Sequence, residues 1–125
     1  MSATPGTDAL LAGLRRICLA LPEVTEGLTH GGETWFVRRR SFAKFVDPEQ
    51  HRLDERSVAF WAAAAPGTRE ELVAADPDRF FPPRFGGRHW VGMRLDRDPD
   101  WAEVREIVVD AYRQNAPKGL VDRLP

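Results

Sequence analysis

Two amphipathic helical patterns, one near each end of the chain, enclose a series of short β-prone runs. The first pattern extends from Thr7, a candidate N-cap, to Pro22. Its apolar residues recur at steps of three and four: Leu10, Leu11, Leu14, Ile17, Cys18 and Leu21. The last pattern starts near Asp98 and Pro99 and carries an apolar stripe: Trp101, Val104, Ile107, Val108, Ala111 and Tyr112. Each stripe needs an apolar layer to pack against.

The β-prone runs between the helices supply that layer. TWFVRRRSFAKFV predicts a hairpin with Arg39 and Arg40 at or near its tip, after a segment, 22–33, that has the composition of turns. SVAFWAAA has apolar residues on both faces, which is typical of a central strand. HWVGMRL alternates and predicts a further strand. Between these two runs, Thr68 and Glu71 form a capping-box pattern for a short helix.

The predicted order is therefore helix, hairpin, strand, helix, strand, helix. Helices at both ends of a mostly antiparallel sheet favour an α+β fold, a two-layer sandwich with the helices on one face. The length of 125 residues suits a single domain over residues 1–125, with loose tails at 1–6 and 119–125.

Composition excludes several classes of protein. The net charge of −1 gives no global positive field, so any site for a polyanion must be local. One cysteine cannot form an internal disulfide and suits a reducing compartment. No run of about 20 apolar residues and no signal-peptide pattern is found, so we expect a cytoplasmic protein with no membrane association.

Basic residues concentrate in two segments that are distant in sequence. Residues 30–46 hold four basic residues against one acid, and residues 79–95 hold four arginines and no acid. Residues 96–110 are acidic, with six acids and two bases. If the two basic segments fold to one side, a positive surface forms despite the neutral total.

This pattern predicts a nucleic-acid-binding surface that contacts backbone phosphates. The basic candidates are Arg38, Arg39, Arg40, Lys44, Arg84, Arg88 and His89. The candidates for stacking on bases, or for a ligand face, are Trp35, Phe85 and Trp90. A structural explanation competes: arginines at a hairpin tip protect a sheet edge, and the aromatic residues fill the core.

No metal, cofactor or catalytic signature stands out. His30, His51 and His89 match no compact ligand spacing, and Cys18 on an apolar stripe is typical of a core thiol. The glycine pairs at 31–32 and 86–87 lack the other residues of phosphate-binding loops. We therefore expect no cofactor, no metal and no enzymatic activity.

Several segments together resemble the MmcQ/YjbR-like family over roughly residues 9–118. They are LPEVTEGLTHGGETWFVRRRSFAKF, PGTREELV, PPRFGGRHWVGMRLD and the AYR of the last helix. Arg88-His89-Trp90 is similar to the family's Lys-His-Trp, and Phe42-Ala43 follows the hairpin turn as in the family. The resemblance implies a CyaY/frataxin-like fold and a DNA-binding label tied to β-hairpins.

One departure from the family pattern concerns charge. Members often carry a lysine in the third strand, where this chain has AFWAA, so a central positive charge is expected to be missing. The sequence thus predicts a DNA-binding or DNA-associated module without catalysis. The alternative is a small-ligand or protein-interaction domain that uses a sheet face with Trp35, Trp61 and Trp90. Oligomeric state stays open.

Overall fold

The computed structural model describes residues 6–48, 57–84 and 87–124, except the side chain of Arg88. Within these ranges the α-helices are α1 (Thr7–Leu19), α2 (Thr68–Ala75), α3 (Trp101–Asn115) and α4 (Lys118–Val121). The strands are β1 (Val24–Thr29), β2 (Gly32–Val37), β3 (Arg40–Val46), β4 (Ala59–Ala63), β5 (Phe80–Phe81) and β6 (Trp90–Arg94). A short 3-10 turn, Gly87–His89, precedes β6.

The described strands form one antiparallel sheet in the order β1-β2-β3-β4-β6-β5. β4 lies between β3 and β6, and all five of its residues are buried. Burial on both faces explains why this strand reads as an uninterrupted apolar run. The expected α+β fold, with helices packed on an antiparallel sheet, is confirmed.

β1 is a strand that the sequence pattern did not predict. It lies within residues 22–33, which were expected to be turns, and contains mostly small or polar residues. It is extended because it pairs along its whole length with β2, from Val24–Val37 to Thr29–Gly32. β1, rather than β2, is therefore the outermost described strand on this side of the sheet.

The core lies between the sheet and the two long helices. α1 and α3 contact each other, and α3 also packs against β3 and β4. The rings of Phe42 and Tyr112 meet edge to face with centroids 5.6 Å apart. The Tyr112 hydroxyl donates to the carbonyl of Pro22 at 2.8 Å, which attaches the end of α3 to the start of β1.

The other face of the sheet holds a second, smaller apolar cluster. Its buried members are Val46, Ala59, Trp61 and Phe81. Gly92 on β6 is paired with Phe81 on β5 and lets the Phe81 ring lie directly on the backbone. The Arg94 guanidinium lies over the same ring, 4.8 Å from its centroid.

Helix starts and the C-terminal segment differ from expectation. Thr68 is the first residue of α2 rather than its cap, because Gly67 (φ 86°) makes the turn into the helix and no side-chain cap forms. α3 begins after Asp100, whose carboxylate accepts from the N–H of Ala102 at 3.0 Å.

The expectation of a loose tail after residue 118 is wrong for α4, because Leu120 is buried against the core. Of the N-terminal tail, only Gly6 is described.

No helix in the described ranges is both long and apolar enough to cross a lipid bilayer.

We expect Cys18 to be inert in the folded protein. Its side chain is fully buried, and burial raises the pKa of the thiol well above its usual range. In a colorimetric thiol assay at pH 8, native protein should react only on the time scale of unfolding. Protein in guanidinium chloride should react at once. Rapid reaction of the native protein would contradict this placement.

The close contact at Gly92 makes a stability prediction. Gly92→Ala puts a methyl group against the Phe81 ring, closer than real side chains approach, so we expect the free energy of unfolding to fall by about 1–3 kcal/mol in urea denaturation. Gly119→Ala is the matched control, because nothing lies within 4 Å of its new methyl group and alanine favours a helix. Equal unfolding midpoints for the two variants would contradict the packing described.

Candidate functional site

Antiparallel pairing brings the tip of the β2–β3 hairpin and the chain at His89 to one end of the sheet. The turn before Arg40, the end of β4 and the start of β6 lie together there because neighbouring strands run in opposite directions. Ala63 pairs with Trp90, and the next N–H along the chain, that of Ala64, donates to the carbonyl of His89 at 2.7 Å. The chain around His89 is thus fixed beside the tip of the β2–β3 hairpin.

An open depression of about 720 Å³ lies at this end of the sheet, and we call it the groove. Its lining residues are Arg39, Arg40, Ser41, Ala63, Ala64, Pro66, His89, Trp90, Gln114 and Asn115. They come from the β2–β3 turn, the end of β4, the chain before β6 and the last turn of α3. Basic and amide groups therefore share one concavity with an aromatic ring.

The turn at the groove has an unusual composition. Arg38 (φ 50°) and Arg39 (φ 69°) both have left-handed backbones, which a two-residue hairpin turn of the I′ type requires. The β1–β2 turn meets the same requirement with His30 (φ 50°) and Gly31 (φ 80°). Arg39 thus occupies the position that glycine holds in the other turn. A side chain there costs about 1 kcal/mol, and such outliers cluster at functional sites.

The hairpin arginines differ in their partners. Arg38 donates from Nε and Nη2 to both carboxylate oxygens of Glu23, at 3.0 and 3.2 Å. Arg123 reaches the same carboxylate at 3.4 Å. Arg39 and Arg40 are exposed, and neither has an ion pair with any residue that the structure describes. The positive charge at the groove therefore comes from Arg39 and Arg40.

In the second basic segment, two arginines lie away from the groove. Arg79 pairs with Asp76, at 2.6 Å, and with Glu103, and these carboxylates raise its pKa. Arg94 lies over Phe81 on the second face of the sheet. Neither residue lines the groove.

The predicted site residues of this segment are only partly within the described structure. His89, which is exposed, and Trp90, which is half-buried, line the groove. Arg84 is exposed but is not among the lining residues. Phe85 and the side chain of Arg88 lie outside the described residues.

Trp35 cannot stack on a ligand, which corrects one prediction. It is 0% exposed in the core beneath the helices, and its Nε1–H donates to Glu26 at 2.9 Å. Glu26 also accepts from Arg15 at 2.8 Å, and this contact lowers the pKa of the carboxyl. Trp61 is 8% exposed and belongs to the cluster on the opposite face. Trp35, Trp61 and Trp90 therefore do not share one face. Trp35 lies in register with Ala62 of β4, across Ala43, and the adjacent residues Ala62 and Trp61 point to opposite faces.

Lys44 is also separate from the groove. It lies on β3 between Thr34 and Trp61, and its Nζ donates to the carbonyl of Thr29 at 2.8 Å. Burial lowers its pKa. The sheet thus carries a central lysine on β3, next to β4, the strand in which the resemblance to the family led us to expect a missing positive charge.

Three polar groove residues were not anticipated: Ser41, Gln114 and Asn115. Asn115 Nδ2 donates to the carbonyl of Ser41 at 2.6 Å and joins the end of α3 to the hairpin. Polar residues at the end of an amphipathic helix look like ordinary solvated positions, so no local signal marks them. Among the described residues, no three histidine, cysteine or acidic side chains come together as metal ligands, and His51 lies outside them.

Comparison with known proteins agrees with this architecture. The structure is similar to the crystal structure of Deinococcus radiodurans protein DR2400, with domain DUF419, at a TM-score of 0.67 and 20% identity. The match covers 99% of this chain and 92% of that one, and at this identity it shows the fold alone. No curated protein matches the sequence. The YjbR family model matches residues 19–114, and the chain therefore belongs to the YjbR family.

Proposed function

We propose that the protein binds DNA at the groove through phosphate contacts from Arg39 and Arg40, without a catalytic step. The observation that carries the proposal is Arg39 itself. It is an exposed arginine without an ion pair among the described residues, held in a left-handed turn position where glycine would be unstrained. A strained and exposed arginine at this position supports a role for its guanidinium at the groove.

The chemistry of the groove suits a phosphate. A guanidinium donates two parallel hydrogen bonds to a phosphate, and two adjacent arginines can hold consecutive phosphates or one phosphate from two sides. His89 and the amide of Gln114 also line the groove and offer further hydrogen-bond donors. The same cations next to a carboxylate would be neutralised, as Arg38 is by Glu23.

The distribution of acids also favours this location. The acids from Asp96 to Glu103 lie in the loop after β6 and in the first turn of α3, whereas α3 reaches the groove at its other end, with Gln114 and Asn115. Several of these acids are already engaged, such as Glu103 with Arg79 and Asp100 with the α3 backbone. Asp110, one helical turn before Gln114, pairs with Arg113. A phosphate at the groove therefore meets Arg39 and Arg40 away from the acids at the start of α3.

The first test is a salt series. Arg39→Ala with Arg40→Ala should weaken binding of a labelled oligonucleotide roughly tenfold or more, measured by fluorescence anisotropy at low salt. The slope of log affinity against log salt should become shallower by about 1.4–1.8, because each lost phosphate contact removes about 0.7–0.9.

The matched control is Arg16→Ala with Arg105→Ala, which removes two exposed arginines from the outer surfaces of α1 and α3. It changes the net charge equally, and we expect only a small loss of affinity. Binding that is absent at low salt, or that both double variants weaken equally, would rule out the proposal.

The second test separates stability from binding. Arg39→Gly relieves the left-handed strain, so the free energy of unfolding should stay the same or rise by about 0.5–1 kcal/mol, since only glycine adopts this conformation freely. Oligonucleotide affinity should nevertheless fall. Urea denaturation and anisotropy on the same samples check both. A variant that binds as well as the parent would show that this arginine has no part in binding.

A further inference from the structure

The groove presents apolar surface beside its cationic groups. Its apolar lining residues are Ala63 and Ala64, which are buried, Pro66, which is exposed, and Trp90, which is half-buried. Its polar and cationic lining residues are Arg39, Arg40, Ser41, His89, Gln114 and Asn115. Apolar surface next to cations fits a ligand that has a flat apolar part joined to an anion.

We infer that the groove accepts an unpaired nucleotide, with its base against Trp90 and Pro66 and its phosphate on Arg39 and Arg40. The protein then prefers single-stranded to double-stranded DNA. This inference rests on the proposed function and specifies which form of DNA the same site takes.

The reason is the availability of base faces. In a duplex the bases are stacked on one another, so only the phosphates and the groove edges can reach the protein. A single strand can turn a base outward onto an aromatic ring, and each such contact is worth roughly fivefold to a hundredfold in affinity. Duplex binding would leave Trp90 and Pro66 without a base to contact.

The position of Trp90 is fixed by strand pairing and by packing. Its backbone pairs with Ala63 on β4, and its ring packs against the edges of both apolar clusters while part of it faces the groove. Its neighbour His89 is fixed by the hydrogen bond from Ala64. A preorganised ring loses little conformational freedom when a base stacks on it.

The test compares three labelled DNA ligands of similar charge with the full chain: a thymidine 12-mer, a 12-mer of abasic sugar-phosphate units, and a short duplex. Anisotropy titrations are run at one low salt concentration. We expect the thymidine strand to bind at least fivefold more tightly than the abasic strand and the duplex. This comparison needs no variant, so loss of folding cannot obscure it.

Variants then locate the contact. Trp90→Leu, which keeps an apolar side chain, should lower thymidine-strand affinity at least fivefold and leave abasic-strand affinity unchanged, whereas Trp90→Phe should retain most of it. Equal affinity for the thymidine and abasic strands, or tighter binding of the duplex, overturns the inference and leaves the proposed function in place. If no DNA ligand binds, both fail.

Discussion

The pairing of β4 with both β3 and β6 determines the position of everything else. β4 is buried on both faces, so a shift by one residue would exchange the positions of Phe60 and Trp61 and disrupt the packing of both apolar clusters. Its fixed register therefore fixes both neighbours: Ala62 lies opposite Ala43 on one side and Val91 on the other. The hairpin tip and the chain around His89 meet as a consequence of core packing, although the side chains of Arg39, Arg40 and His89 are exposed.

Stability and the proposed binding of DNA make opposite demands at the β2–β3 turn. The β1–β2 turn, of the same backbone type, contains a glycine and no arginine. The β2–β3 turn accepts two left-handed arginines, one of which is compensated by the bidentate contact of Arg38 with Glu23. Glu23 itself has a left-handed backbone (φ 58°), so the local strain extends to the partner. Arg39 has no such compensation, which is why the function proposed here depends on it most.

Local patterns predicted the elements whose apolar residues follow directly from burial on one face or on both. The α3 stripe, the alternation of β6 and the apolar run of β4 are examples, and the buried Val104, Val108 and Tyr112 lie where the spacing placed them. Patterns failed where long-range pairing decides the conformation, as in β1, or where a glycine replaces a side-chain cap, as at Gly67. The candidate site shows the same difference between local patterns and long-range contacts. Arg39, Arg40, His89 and Trp90 were identifiable from composition, but the burial of Trp35 and the approach of Gln114 and Asn115 depend on tertiary contacts.

The unequal edges of the sheet bear on how this protein behaves at high concentration. β5 is only two residues long, so it presents few backbone groups to which another chain could add. β1 is longer, but it carries the charged Glu26, which Arg15 and Trp35 hold in place. A carboxylate in the middle of an outermost strand disfavours uncontrolled strand addition between molecules. The short length of β5 and the charge of Glu26 on β1 both disfavour the addition of a strand from another molecule, and together they oppose fibrillar aggregation.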